Sequence, residues 1–159
     1  MIVRLYQKVE RPKTWTPDAL QIVRDAGKMC AGYWWPYHGS DVRSAFTEVC
    51  NLAQNCGGLD VAYPFADIET YTDGTIPNAQ EIEDIADEAQ LNFLMPAFYS
   101  SPPMWAKAGN PQINDGVGWG AKYINKEPAD LSGAPHFGDL KMIGWQWTSS
   151  PLDRSLFVL

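Results

Sequence analysis

Short apolar runs alternate along the chain with segments of helical periodicity, and this alternation limits the possible folds more than any other feature. The runs predicted as strands are residues 2–5, 29–34, 61–68, 93–99, 119–124, 142–147 and 156–158. Helical segments separate the first four runs, and strands alternating with helices predict a parallel sheet. A full (β/α)8 barrel takes about 250 residues, whereas this chain has 159. We therefore predict one α/β domain, residues 1–159, built as a compact, irregular, TIM-like (β/α) barrel.

Boundary signals place the three helices. Thr16 is a predicted N-cap and is followed by Pro17, a residue favoured at the first helical position. Ser40 is the predicted cap of the second helix, and Asn78 with Glu81 has the spacing of a capping box before the third. The predicted stops are Gly27 and the pair Gly57–Gly58. After residue 100, prolines mark loops, and we predict strands with few helices.

Charge and hydropathy exclude several classes of partner. The formal net charge of -7 gives the chain no electrostatic reason to bind nucleic acid, and little to gain from anionic lipid. No apolar run approaches the roughly 20 residues of a membrane span. Residues 1–6 lack the long apolar region of a secretory leader, so the sequence predicts no signal peptide. We expect a monomer that contacts neither nucleic acid nor membrane.

Cysteine and histidine spacing predicts no metal site. The three cysteines have no CxxC spacing, which argues against a zinc site and against a disulfide framework. Cys30 lies in an apolar stretch and is a predicted core residue, while a Cys50–Cys56 disulfide stays open as an alternative. His38 and His136 are isolated and are read as polar loop residues.

Two carboxylates follow the third predicted strand. Asp67 and Glu69 are two residues apart, so on a strand they point to the same face, while Ile68 points to the other. Reactive groups of parallel barrels lie at the carboxyl ends of the strands. Paired carboxylates on one face suit glycoside hydrolysis, in which one acts as an acid and the other stays ionised. A solvated turn is the alternative reading of D-x-E alone. Asp153, after the sixth predicted strand, is a candidate third acid, with a turn residue paired to Arg154 as its alternative.

Aromatic residues accompany these acids. The chain has seven Trp and seven Tyr, and such rings offer a flat apolar face with a hydrogen-bonding edge that suits sugars. The candidates for sugar contact are Tyr33, Trp35, Tyr37, Tyr99, Trp145 and Trp147. Any one of them could serve only the core, but the set as a group predicts a carbohydrate-binding groove.

The same segments resemble glycoside hydrolase family 25, the lysozymes of bacteriophages, bacteria and fungi. The matching pieces are DIE at 67–69, PAFYS at 96–100, WGAKY at 119–123 and WQWTSS at 145–150 followed by Leu152-Asp153. Their order and approximate spacing match the family, and the likeness runs from about residue 2 to residue 159.

This resemblance implies cleavage of the β-1,4 bond between N-acetylmuramic acid and N-acetylglucosamine in peptidoglycan, without a cofactor. Members of the family are usually retaining, while the spacing of Asp67 and Glu69 leaves both retention and inversion open. It implies Glu69 as general acid, Asp67 as the group that orients the N-acetyl group or stabilises the oxocarbenium-like state, and Asp153 as the acid of the last strands. It also implies a phage-endolysin-like enzyme that acts on the cell wall.

The sequence departs from the family at two places, and these departures leave other functions open. The chain starts after the family's first strand, which carries an Asp, and it has Tyr33-Trp34-Trp35 where the family more often has Tyr-His-Phe. The competing hypotheses are a non-catalytic glycan-binding or virion-structural domain with a lysozyme fold, and a hydrolase of another polysaccharide.

Overall fold

A computed structural model of the chain describes residues 2–7, 16–55, 57–58, 64–124, 126–150 and 153–158. Its strands are β1 (Ile2–Gln7), β2 (Ala31–Trp35), β3 (Phe65–Asp67), β4 (Ala97–Ser100), β5 (Val117–Ala121), β6 (Lys141–Thr148) and β7 (Arg154–Phe157). Its helices are α1 (Thr16–Asp25), α2 (Val42–Asn55), α3 (Ala79–Leu91) and α4 (Pro102–Lys107).

The strands form one sheet whose spatial order follows the chain, from β1 to β7. Neighbours from β1 through β6 are parallel, and β7 returns antiparallel to β6. The sheet curls into a half-barrel, so the predicted α/β fold of the irregular-barrel type is confirmed, while a closed TIM-like barrel is only partly supported. The carboxyl ends of the parallel strands therefore converge on one concave end.

The predicted ends of α1 and α2 and the predicted start of α3 hold, while the starts of α1 and α2 shift. Helix α1 begins at Thr16 itself, so Thr16 is its first residue rather than its N-cap. Asn78 and Glu81 form the capping box of α3, and Gly27 and Gly57–Gly58 take positive φ angles after α1 and α2. The cap of α2 is Asp41 rather than Ser40: the Asp41 carboxylate accepts a hydrogen bond from the Ser44 backbone N–H at 3.1 Å. The Ser40 hydroxyl instead donates to the Tyr37 carbonyl.

Two predictions for the second half of the chain change. β4 begins at Ala97 rather than at Phe93, because Phe93 has φ +57° and a side chain 98% exposed, which places it in the turn after α3. Helix α4 replaces a predicted loop, since Pro102 and Pro103 stand at its first positions, where a missing N–H costs nothing. Residues 61–63 of the third predicted strand and Cys56 of the open disulfide alternative lie outside the described residues.

The core has an outer and an inner layer. Between helices and sheet lie Leu20, Val23, Cys30, Trp34, Phe46, Val49, Ile68, Ile82, Ile85 and Phe98, all at most 2% exposed. The prediction of Cys30 as a core residue is confirmed. The concave side carries a second cluster of Phe65, Ala97, Tyr99, Val117, Trp119, Ala121 and Ile143, with Tyr33 and Phe157 packed against it. Large aromatic rings thus fill the half-barrel and form the floor and walls of the space above it.

Candidate active site

The Asp67–Glu69 segment is anchored at the carboxyl end of β3. Between the two acids, Ile68 is fully buried in the outer core layer. The Ile68 N–H donates to the Tyr99 carbonyl at 2.8 Å, and the Ser100 hydroxyl donates to the Ile68 carbonyl at 2.8 Å. The N–H and carbonyl groups of Ile68 are thus both hydrogen-bonded, and its side chain lies in the core. This anchoring leaves Asp67 and Glu69 facing the concave end of the sheet.

These two acids open into a cavity of about 560 Å³. Its lining consists of Tyr33, Trp35, Asp67, Glu69, Tyr99, Trp119, Tyr123, Gln146, Asp153, Ser155 and Phe157. Asp153 is the residue before β7, the last strand of the sheet, whereas Asp67 and Glu69 lie at the end of β3, four strands away. The cavity therefore combines three carboxyl groups with aromatic walls.

The carboxyl group of Glu69 is held toward its protonated form. Burial raises the pKa of Glu69, and the negative charge of Asp153 raises it further, while a hydrogen-bonding interaction with Tyr99 opposes the shift. A general acid must still carry its proton near working pH, and burial beside a second carboxylate is a common way to achieve that. Glu69 is thus suited to donate a proton.

The burial of Glu69 makes the free energy of unfolding depend on pH. Because the folded state raises the pKa of Glu69, the folded protein binds that proton more tightly than the unfolded chain, and the associated stability is lost as pH rises through the folded pKa. We expect Glu69→Gln to match the parent in urea unfolding near about pH 4, the ordinary Glu range, and to be more stable than the parent at neutral pH. Glu48→Gln, an exposed position on α2, should show no such pH-dependent gain. A Glu69→Gln gain that is equal at both pH values would contradict the raised pKa.

Tyr99 lines the same cavity and interacts with Glu69. Its hydroxyl donates to the Gln146 side-chain carbonyl at 2.5 Å. Burial raises the pKa of Tyr99 strongly, and the nearby Glu69 and Asp67 charges add to the shift, so the phenol keeps its proton. Tyr99 is therefore an uncharged hydrogen-bonding neighbour of the Glu69 carboxyl group.

The aromatic walls are fixed by contacts with one another. The rings of Tyr99 and Trp119 lie 4.4 Å apart between centroids, and Phe65 and Phe157 pack against Trp119 at 5.7 and 5.5 Å. The Trp119 indole N–H donates to the Ser155 hydroxyl at 3.2 Å. Rings held in this way offer preformed surfaces for a sugar face.

The remaining aromatic candidates do not line this cavity. Trp145 and Trp147 project from the other face of β6 and pack with Ala134. The Trp145 indole N–H donates to the Lys122 carbonyl at 2.9 Å, which fixes the ring outside the half-barrel. Strand alternation is the reason, since the intervening Gln146 is the residue that faces inward.

Tyr37 lies in the loop after β2, one ring further from the cavity than the sequence predicted. Its ring packs edge-on against Tyr71, which packs in the same way against the cavity residue Trp35. Its hydroxyl donates to the Asp73 carboxylate, and this hydrogen bond is the main reason the pKa of Asp73 falls to about 2. Tyr37 is therefore joined to the cavity wall through Tyr71 without lining it.

Sequence reasoning missed five lining residues, namely Trp119, Tyr123, Gln146, Ser155 and Phe157. One signal was available: Ser155 and Phe157 lie two residues apart on one face of β7, and both follow Asp153 at even intervals. The glutamine gave no signal, because it lies between two large aromatics.

The described residues contain neither a metal-binding cluster nor a membrane-spanning helix. Across the described ranges, no group of three or more His, Cys, Asp or Glu side chains has an arrangement that could hold a metal ion. Within those ranges there is also no helix with the length and apolar character needed to cross a membrane.

Comparison with known proteins places the fold. No family model and no curated protein matches the sequence. Among solved structures, the chain is similar to the catalytic domain of the endolysin ply40 from bacteriophage P40 of Listeria monocytogenes, with TM-score 0.73 and 16% identity over 99% of this chain and 81% of that one. It is also similar to a family GH25 lysozyme from Aspergillus fumigatus, with TM-score 0.67 and 16% identity over 99% and 79% of the two chains.

A third similar structure is the modular autolysin LytC from Streptococcus pneumoniae in complex with a synthetic peptidoglycan ligand, with TM-score 0.69 and 18% identity over 96% of this chain and 37% of that one. Identities this low establish a common fold. The fold is that of the family 25 lysozymes and endolysin catalytic domains, so the family resemblance is confirmed at the level of the fold.

Proposed function

We propose that the chain is a peptidoglycan hydrolase that cleaves the β-1,4 bond between N-acetylmuramic acid and N-acetylglucosamine. The observation that carries this proposal is the acid pair itself: Asp67 and Glu69 share one face at the mouth of the half-barrel, inside an aromatic-lined cavity. The similarity to lysozymes and to an endolysin catalytic domain supports the same class of reaction. We further propose that the protein acts on the cell wall as a monomer.

In this proposal Glu69 donates a proton to the glycosidic oxygen as the bond breaks. Its raised pKa, caused first by burial, keeps the proton available. Asp67, 5% exposed in the cavity floor, acts ionised to orient the N-acetyl group or to stabilise positive charge on the sugar. Asp153 faces the same space from the β7 side and adds negative charge there.

The aromatic walls supply the sugar contacts. Tyr33, Trp35 and Trp119 line the cavity beside the acids, and their rings can stack on the flat C–H faces of pyranose units. Such contacts position the glycosidic oxygen against Glu69, and positioning of this kind contributes a large part of a catalytic rate.

The direct test is the chemistry of the digestion products. Purified peptidoglycan treated with the protein should lose turbidity, and borohydride reduction followed by mass spectrometry should find N-acetylmuramitol at the new chain ends. N-acetylglucosaminitol at those ends would show that the protein instead cleaves the other β-1,4 bond of peptidoglycan, on the reducing side of N-acetylglucosamine. Binding of peptidoglycan fragments by folded protein without new reducing ends would instead support the glycan-binding alternative.

A further inference from the structure

A row of aromatic rings continues one wall of the cavity beyond the cavity itself. Trp35 lines the cavity, and the ring of Tyr71 packs edge-on against it with 5.4 Å between the ring centroids. The ring of Tyr37 packs edge-on against Tyr71 at 4.8 Å. All three residues are partly exposed, and Tyr71 follows Glu69 by two residues in the chain. This aromatic row of Trp35, Tyr71 and Tyr37 therefore leads outward from the acids, and the proposed reaction gives no role to its two tyrosines.

An exposed carboxylate borders the outer end of the row. Asp73 accepts a hydrogen bond from the Tyr37 hydroxyl at Oδ2, and it accepts from the backbone N–H and the hydroxyl of Thr75 at Oδ1, at 2.9 and 2.7 Å. These bonds, that of Tyr37 first, lower the pKa of Asp73 to about 2 and keep the group ionised. A carboxylate has about four lone-pair sites, so Oδ2 can accept one more hydrogen bond from a ligand hydroxyl. An aromatic ring beside such an acceptor is a combination that suits a sugar.

The two loops that carry the row are held in place by hydrogen bonds. The Tyr71 N–H donates to the Thr75 carbonyl at 2.7 Å, which closes the turn after the acid segment. In the loop after β2, the Gly39 N–H donates to the Glu81 carboxylate at 2.6 Å, which ties this loop to the start of α3. A surface that is already ordered loses little conformational entropy when a ligand binds to it. The row is therefore a preformed surface next to the cavity.

We propose that the aromatic row and Asp73 form an outer sugar-binding subsite, which holds an N-acetylhexosamine unit of the glycan strand outside the cavity and makes the protein favour long strands over short ones. The identity of the ligand rests on the proposed function. Because the substrate is a polymer, a strand with its scissile bond beside Glu69 must continue out of the cavity along one of the walls. The row extends the Trp35 wall in this way, and it ends at a free acceptor position on Asp73.

The test compares a short and a long ligand in the Glu69→Gln background, in which hydrolysis does not compete with binding. Isothermal titration calorimetry measures the affinity for the disaccharide of N-acetylglucosamine and N-acetylmuramic acid, and for a hexasaccharide of the same repeat. Tyr37→Leu removes the outer ring and its hydroxyl but keeps apolar bulk against Tyr71. It should weaken the hexasaccharide about fivefold, the size expected for one lost aromatic or hydrogen-bonding contact. The affinity for the disaccharide, which is short enough to stay in the cavity, should change much less.

Two further variants separate this role from a structural one. Asp73→Ala removes the exposed acceptor and should also weaken the hexasaccharide more than the disaccharide, so it tests the subsite even if Tyr37→Leu fails to fold. Phe93→Leu makes the same kind of change at a ring 98% exposed in the turn before β4, at the opposite end of the strand from the cavity. It should leave both affinities unchanged. With Glu69 restored, Tyr37→Leu should raise KM for long strands and leave kcat nearly the same, because the subsite holds substrate and transition state equally.

Three results would overturn the proposal. Tyr37→Leu and Asp73→Ala could weaken both ligands equally, they could weaken neither, or the folded protein could bind no glycan of either length. Failure of the subsite is distinguishable from failure of the proposed function. A length-dependent loss of affinity in a protein whose parent produces no new reducing ends would leave the subsite standing and remove the hydrolysis. Hydrolysis of peptidoglycan by a protein whose row variants show no length dependence would keep the function and remove the subsite.

Discussion

Replacement of Glu69 by glutamine is expected to remove nearly all hydrolysis of peptidoglycan while the protein stays folded. Glutamine has the same shape and can keep a hydrogen bond to Tyr99, but it has no proton to give to the leaving oxygen. A positioned general acid contributes about 10²–10⁴-fold to a rate, so the initial rate of turbidity loss should fall by about that factor. Binding of peptidoglycan fragments should survive, because the aromatic walls and Asp67 are unchanged.

The control is Glu48→Gln, which makes the same chemical change on the exposed face of α2 and should keep the parent rate. The parent's own pH profile adds a second check, since only protonated Glu69 can act and the rate should therefore decline as pH rises through its pKa. Burial has raised that pKa, so this decline should begin above the ordinary range of a glutamic acid. Equal rates for Glu69→Gln and the parent would remove Glu69 from the acid role.

The predicted placement of Asp67 and Glu69 beside one another depends on local alternation. Extended chain has a repeat of two, so the sequence predicts Asp67 and Glu69 on one face and Ile68 on the other. Strand β3 ends at Asp67, and the alternation continues past that end to Glu69. The structure places Ile68 in the outer core and both acids at the cavity. The inference needed no knowledge of neighbouring strands, since the apolar run before the pair was enough to indicate the strand.

The same rule could not assign the faces of β6. Residues 143–147 of that strand are buried on both sides, so polarity does not alternate and nothing local says which face is concave. The sequence analysis chose the aromatic residues and so predicted Trp145 and Trp147 in the groove. In the structure Gln146 pairs with Ser155 of β7, and these two residues line the cavity instead. Which face turns inward is fixed by the curl of the whole sheet and by the antiparallel return of β7, both of which are tertiary properties.

A substitution at Gly144 tests how β7 packs against β6. A Cβ atom at this position would lie 2.4 Å from Cε1 of Phe157 and 2.9 Å from Cδ1 of Trp119, so the absence of a side chain is what lets both rings pack over β6. We expect Gly144→Ala to destabilise the protein by about 1–3 kcal/mol, the usual cost of overpacking a core, as measured by urea unfolding. Because both rings line the cavity, hydrolysis by the folded fraction should fall as well.

A second substitution shows whether the loss comes from this contact. Phe157→Leu shortens the ring that the new methyl group meets first, so the double variant Gly144→Ala with Phe157→Leu should lose less stability than the two single variants added together. Gly133→Ala makes the same change where the nearest atom, Cη2 of Trp145, is 3.2 Å away, and it should cost less. If the losses at Gly144 and Phe157 simply add, the ring of Phe157 is not what excludes a side chain there, and the close packing of β7 over the cavity floor would have to be revised.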